Sequence, residues 1–217
     1  MHNYTKPHFA TSALITIDTQ CDTLDGQSLE IPGTSQALPN IQKLLRAYRQ
    51  RHLPIVHIIR IYKKDGSNVD LCRKAMVEQG VPILLEGSPG CGLATELLPD
   101  KVCELKCNML LTGKAQEVGP NEVIIYKPRW GAFYNTPLDA HLKDKGIDTL
   151  VFTGCNYPNC PRASIYEASE RDYRIVLADD AISGLYPKAI EEMGNIGVLV
   201  AHSETILSML TSESETS

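Results

Sequence analysis

The stretch Thr153-Gly-Cys-Asn-Tyr-Pro-Asn-Cys-Pro-Arg162 joins an apolar run to a helical pattern through a turn too polar and too rich in proline to be packing material. Cys160 falls where that helix begins. Unpaired N–H groups and the positive end of a helix dipole stabilise a thiolate, which marks Cys160 as a nucleophile with a lowered pKa. Pro161 suits this placement, because the first helical position needs no N–H. Attack on a carbonyl also needs hydrogen-bond donors for the oxyanion. Pro158 and Pro161 have no N–H, so the loop offers those of Asn156, Tyr157, Asn159 and Cys160. Cys160 is the most natural of them, since the tetrahedral carbon would be bonded to its own sulfur. On position alone, a buried filler thiol is an equally good reading.

Two charged residues shift that balance. Asp18 closes the apolar run 13–17 and could take the thiol proton and hand it to a leaving amine, although Asp is also a common turn-capping residue. Lys127 closes the run 123–126, where its charge could lower the thiol pKa and hold Asp18 ionised. Taken alone, Lys127 is an ordinary surface lysine.

Chemistry by these three requires one common edge. Residues 13–17, 54–61, 122–126, 148–154, 174–178 and 197–201 are short apolar runs, most of them rich in β-branched residues, and read as about six buried strands. Helical spacing lies between them: at Leu38, Ile41, Leu44, Leu45 and Tyr48, with Thr34 or Ser35 as cap, near 69–79, and over 137–145, 160–171, 187–193 and 203–210. Strands alternating with helices make an α/β fold with a mostly parallel sheet covered on both faces, and ligands bind at the strands' C-terminal edge. Residues 81–120 lack this pattern, apart from a short helix near 93–98, and read as an excursion over the sheet that could carry a lid.

Taken jointly, Asp18 in LITIDTQCD, Lys127 in VIIYKPRWGAFYNTPL and Cys160 in TLVFTGCNYPNCPRASIYEASERDYRIVLADDAIS resemble the isochorismatase-like superfamily of cysteine hydrolases. The resemblance covers most of the chain and implies a Rossmann-like three-layer αβα sandwich. It also implies Asp18 as general base, Lys127 between base and thiol, and Cys160 attacking a carbonyl to form a thioester. A cis peptide is implied at Cys155–Asn156, turning the Asn156 N–H toward the oxyanion beside that of Cys160. The family often has Thr where Tyr157 stands, and Pro158 and Pro161 flank positions that are usually freer. Nicotinamidases that bind a metal carry Asp-x-His and a further His after the second strand. Here that region reads Arg60-Ile-Tyr-Lys-Lys-Asp-Gly-Ser, so no catalytic metal and no cofactor are expected.

Some isochorismatases lack the cysteine, because protonating a vinyl ether needs only an acid. Retention of Cys160 therefore favours C–N hydrolysis of an amide, ureide or lactam-like molecule over vinyl-ether hydrolysis. Gln20, Trp130, Phe133 and Tyr157 are candidates for contact with the substrate, and Arg60 or Arg162 for an acidic group on it. Two readings from other classes are a Cys155/Cys160 redox pair, weakened because the spacing is not Cys-x-x-Cys, and a silent binding protein.

A chain of 217 residues with 43% hydrophobic content can bury one substantial core, expected over residues 1–210, with a disordered tail at 211–217. The net charge of -5 and the lack of a Lys/Arg run exclude a nucleic-acid surface, which leaves a small-molecule partner. No signal peptide or membrane span is legible, and seven cysteines, an odd number, suit a reducing compartment, so the expectation is a soluble cytoplasmic protein. Family members commonly form dimers or tetramers, which implies a homo-oligomer here.

Overall fold

The computed structural model describes residues 3–99 and 103–214. The apolar runs become β1 (Ser12–Ile17), β2 (Ile55–Ile59), β4 (Glu122–Tyr126), β5 (Thr149–Gly154), β6 (Arg174–Ile182) and β7 (Leu199–Ala201), all parallel. A seventh strand, β3 (Gln116–Gly119), runs antiparallel along β4, and the sheet order is β3-β4-β2-β1-β5-β6-β7. The expected six strands are thus seven. Gln116–Gly119 is short and polar and pairs only at the sheet's edge, so it carries none of the apolar run that marks a buried parallel strand.

Every residue of β1, β2, β4 and β5 is buried, and successive side chains feed opposite faces. Leu14 and Ile55 join the core under α1 (Thr34–Gln50) and α7 (Ser203–Ser214). Ile15 and Val56 join the core under α4 (Leu138–Asp144), α5 (Cys160–Ser169) and α6 (Pro187–Asn195). These are the three layers. Two shorter helices complete the set: α2 (Leu71–Glu78), none of whose residues is buried, and α3 (Cys107–Leu110). Among the described residues, no helix is long and apolar enough to cross a membrane.

Three local expectations change. Neither Thr34 nor Ser35 caps α1. The preceding residue is Gly33 at φ 88°, Thr34 is already helical and donates to Ser183 Oγ at 3.2 Å, and Ser35 Oγ accepts from Asp25 N at 2.9 Å. Helix α7 runs on to Ser214, so 211–214 continue it rather than forming a disordered tail, and 215–217 lie outside the described residues. The excursion is packed rather than poised as a lid: Ile83, Leu84, Cys91, Leu93, Ala94 and Leu97 are buried, and β-bridges tie Leu93 to Gln20 and Leu85 to Tyr62.

A buried polar chain crosses the sheet. His57 Nε2 lies 2.8 Å from Glu122 Oε1 and its Nδ1 2.8 Å from Thr16 Oγ1, while Arg49 grips both Glu122 oxygens at 2.7 and 2.8 Å. Burial would raise the Glu122 pKa from its ordinary 4.5, but the hydrogen bonds from Arg49 and His57 outweigh it and hold the carboxyl down at about 2. This stabilisation is complete above about pH 4.5 and is lost as pH falls toward about 2. Glu122→Gln should therefore lower the unfolding free energy at pH 7 by about 3 kcal/mol, with the gap to wild type closing in acid. Urea titrations at pH 7 and pH 3 test this, and a gap that does not change with pH would contradict it.

Candidate active site

The register of the sheet brings the three charged or nucleophilic candidates to one edge. Ile17 pairs with Ile58 on one side and Gly154 on the other, and Tyr126 pairs with Ile59. Asp18, the next residue after β1, continues the ladder by donating its N–H to Ile58 O at 2.9 Å, then turns away at φ 47°. Lys127 continues β4 by donating to Ile59 O at 2.9 Å. Between β4 and β1 lies β2, so Lys127 must reach across two strand spacings, roughly 10 Å. Its long stem does so: Nζ donates to Asp18 Oδ2 at 2.8 Å and to Arg129 O at 3.3 Å, and Lys127 is fully buried. Asp18 Oδ1 is buried with no hydrogen-bond partner.

Cys160 is the first residue of α5 and is 3% exposed. The loop before it is held tightly against β1. Gly154 sits at φ 109°, and a Cβ there would come within 2.2 Å of Ile17 O, so only glycine lets β5 end this close. The Cys155–Asn156 peptide is cis. Cys155 N donates to Ile17 O at 2.8 Å and its thiol to Asp18 O at 3.1 Å, Tyr157 N donates to Ser183 O at 2.8 Å, and Asn159 N to Asn156 O at 2.9 Å.

Burial pushes the Cys160 thiol up to about 11, and the Asp18 charge adds to the rise. Lys127 and Arg60 pull the other way without matching them. The direction is opposite to the lowering expected at a helix N-terminus, because desolvation by burial and the Asp18 charge outweigh Lys127 and Arg60. Burial likewise pushes Cys155 up to about 12. Burial thus disfavours the thiolate at both residues, which counts against the two acting as a redox pair.

The residues expected around the substrate divide. Gln20 is a brace: fully buried, it donates from Nε2 to Arg60 O at 2.8 Å and Cys91 O at 2.6 Å and accepts from Arg60 N at 2.8 Å. Phe133 packs on Tyr173 and under Arg171, and its N–H donates to Glu167, roughly 10 Å along α5 from Cys160. The Tyr157 ring stands edge-on to Tyr186 at 5.9 Å, on the side of α5 and α6. Arg162 is committed to Tyr186 and Glu192 at 2.6 and 2.9 Å. Trp130 remains beside the site: half-buried, it lies 5.9 Å from the Arg60 guanidinium and 5.3 Å from that of Arg73. With Asp70 it lines a cleft of about 770 Å³ over α2, which none of Asp18, Lys127 and Cys160 lines.

A family model described as Isochorismatase domain matches residues 12–108 and 110–205. The chain belongs to the isochorismatase family. It is 27% identical over 194 residues to an Arabidopsis thaliana protein named "Probable inactive nicotinamidase", covering 86% of this chain and 90% of that one. It is 30% identical over 185 residues to the ureidoacrylate amidohydrolase RutB of Methylobacterium radiotolerans, covering 78% and 66%. A solved isochorismatase family protein from Desulfovibrio vulgaris superposes with a TM-score of 0.78 at 28% identity, covering 93% and 98%. The protein is accordingly a hydrolase of this family.

Around Arg60, the sequence pattern left unmarked Tyr62, Asp70 and Arg73. Asp70 Oδ2 accepts from Arg60 NH1 at 2.7 Å and Tyr62 OH at 2.6 Å, and Arg73 NH1 donates to the Tyr62 hydroxyl at 2.9 Å. They lie on an irregular stretch and on an unburied helix, where neither periodicity nor turn chemistry singles out a charge. For metal, the grouping found among the described residues is Asp179, Asp180 and His202. His202 pairs with Asp179, and Asp180 accepts from Ser203 N and Oγ at 2.8 and 2.7 Å, which is the work of a helix start.

The raised thiol pKa gives a direct test. Iodoacetamide should label Cys160 slowly at pH 7, with the rate climbing about tenfold per pH unit toward about 11, and Asp18→Asn should shift the profile to lower pH by removing the charge that raises the thiol. A plateau already reached at pH 7 would overturn this assignment.

Proposed function

We propose that this hydrolase cleaves the C–N bond of a small amide, ureide or lactam-like molecule through a Cys160 thioester, with Asp18 as base and Lys127 as its electrostatic partner. The observation that carries the reading is the buried Lys127–Asp18 pair at 2.8 Å, which leaves the second carboxylate oxygen unpartnered near a neutral thiol. A thiol with a pKa of about 11 cannot wait as a thiolate. Its proton must leave as sulfur attacks, and Asp18 Oδ1 is the acceptor in reach.

In this mechanism the S–C bond forms as the thiol proton passes to Asp18, and the carbonyl oxygen gains the negative charge. Tyr157 and Asn159 have committed their N–H groups to Ser183 O and Asn156 O, so the donors left for the oxyanion are those of Asn156 and Cys160. When the intermediate collapses, the C–N bond breaks and Asp18 returns its proton to the leaving nitrogen. Water then adds to the thioester, giving a proton to Asp18, and C–S cleavage releases the acid as the sulfur recovers its proton. Throughout, the Lys127 ammonium balances charge in a site shielded from water. The relatives named ureidoacrylate amidohydrolase and N-carbamoylsarcosine amidase support a C–N bond as the target.

Screening against amides, ureides, lactams and isochorismate should find turnover with a C–N substrate. Cys160→Ala should abolish it and Lys127→Ala should lower kcat by about 100-fold or more. Unaltered activity in either variant would sink the mechanism, and isochorismate turnover that survives Cys160→Ala would favour vinyl-ether hydrolysis.

A further inference from the structure

The backbone of Asp18 leaves the sheet by an irregular step. A parallel ladder would run from Asp18 N to Ile58 O and then from Arg60 N to Asp18 O. The first bond forms, at 2.9 Å, but the second does not: Arg60 N donates to Gln20 Oε1 at 2.8 Å instead. At φ 47° Asp18 sits in the left-handed region, which residues with a Cβ avoid unless their surroundings hold them there. The turn swings its carbonyl away from β2 and toward the loop after β5.

Three donors meet that carbonyl: Gln20 N at 2.9 Å, Thr23 Oγ1 at 3.1 Å and Cys155 Sγ at 3.1 Å. They are not equivalent. Gln20 belongs to the turn itself, and the single hydroxyl proton of Thr23 also faces Gln20 O at 2.8 Å, the shorter of its two contacts. Of the three, Cys155 alone follows a different strand. Its N–H donates to Ile17 O at 2.8 Å, so its backbone and its thiol grip two successive carbonyls at the end of β1. Cys155 is itself anchored from the far side, because Ser183 N donates to Gly154 O at 3.0 Å and Ser183 O accepts from Tyr157 N at 2.8 Å. Burial, with the Asp18 charge adding to it, pushes the Cys155 thiol up to about 12, so the S–H keeps its proton at neutral pH and well above it.

Cys155 and Cys160 share one loop. The bond from Cys155 Sγ therefore ties the residue that bears the carboxylate to the segment that bears the nucleophile, while Lys127 holds Asp18 Oδ2 from the β4 side. We propose that the Cys155 thiol is a positioning residue: by donating to the Asp18 carbonyl it fixes the base against the loop that carries Cys160. This rests on Asp18 and Cys160 being the base and the nucleophile. An S–H is a weak donor, and its effect here comes through geometry rather than through its own energy, since a displacement of about 1 Å in a reacting group can cost about 100-fold in rate.

The experiment uses the full-length protein, with Cys155→Ala to remove the donor and Cys155→Ser to keep one. Alkylation of Cys160 by iodoacetamide is followed against pH, with peptide mass spectrometry to separate it from the other cysteines. Because the Asp18 charge raises the Cys160 thiol, a carboxylate that drifts away lets the profile fall. Cys155→Ala should move it to lower pH by about 0.5 or more, and Cys155→Ser should return most of that. The effect passes through Asp18, so Cys155→Ala should add no further shift in an Asp18→Asn background. With a C–N substrate, Cys155→Ala should lower kcat by about 10- to 100-fold with KM little changed, and Cys155→Ser should recover to within about threefold of wild type. The infrared S–H stretching band that Cys155→Ser removes should lie below the frequency of a thiol without a hydrogen bond, which is a property of the wild type whether or not the alanine variant folds.

An unshifted alkylation profile in Cys155→Ala, a shift that serine does not reverse, a shift that persists beside Asp18→Asn, or a band at the free-thiol frequency would each overturn the positioning role. Alkylation that follows the expected cycle without turnover of any amide, ureide or lactam would uphold that role and count against the amidohydrolase reading.

Discussion

The buried ion pair between Lys127 and Asp18 is the constraint around which this sheet edge is organised. Taking an ammonium and a carboxylate out of water costs several kcal/mol for each ion, and only close, fixed geometry returns it. Losing one partner strands the other at a cost of about 3–5 kcal/mol. The fold therefore cannot leave either position to a mobile loop. Both residues are held by continuing ladder bonds, Asp18 N to Ile58 O and Lys127 N to Ile59 O, so β2 registers the two against each other even though neither strand touches the other. Gly154 then allows the β5 loop to close over the same point.

That closure also sets the chemistry. The features that bury Cys160 desolvate its thiol, and desolvation together with the Asp18 charge outweighs the pull of Lys127 and Arg60 toward the thiolate. A neutral nucleophile next to a carboxylate is consistent with one proton shared along the reaction path, rather than an ion pair stored in advance. The unpartnered Oδ1 of Asp18 is the structural counterpart of that proposal: its sister oxygen is occupied by Lys127, which leaves Oδ1 as the free acceptor on this carboxylate.

The sheet and the convergence of Asp18, Lys127 and Cys160 were legible because a parallel strand buried on both faces reads as an unbroken apolar run, and a charge straight after it can only sit at the edge. The seventh strand was not legible, since Gln116–Gly119 owes its conformation to pairing with β4 and not to its own residues. Nor was the packing of 81–120, where buried residues are spaced irregularly and held by isolated bridges to Gln20 and Tyr62. Phe133 was expected to line the pocket, but its ring packs on Tyr173 and under Arg171, whereas Tyr157 stands edge-on to Tyr186 with its buried hydroxyl unpartnered. Proximity along the chain says which element a side chain belongs to and not which way it faces.

Gln20 and Arg60 differ in how completely their polar atoms are met. Both are buried polar residues at the same edge, and both were candidates for substrate contact. Gln20 has its two amide hydrogens on Arg60 O and Cys91 O and its oxygen under Arg60 N, so nothing is left over for a ligand, and its role is to tie the β2 end to the segment around Cys91. Arg60 is held just as firmly, yet two donors on one edge have no acceptor. A fold selected only for stability would be expected to satisfy or remove such donors, since a buried unmet hydrogen bond costs about 1–3 kcal/mol. By fixing the Arg60 backbone on both its N–H and its carbonyl, Gln20 holds the guanidinium where Asp70 and Pro128 take up NH1 alone.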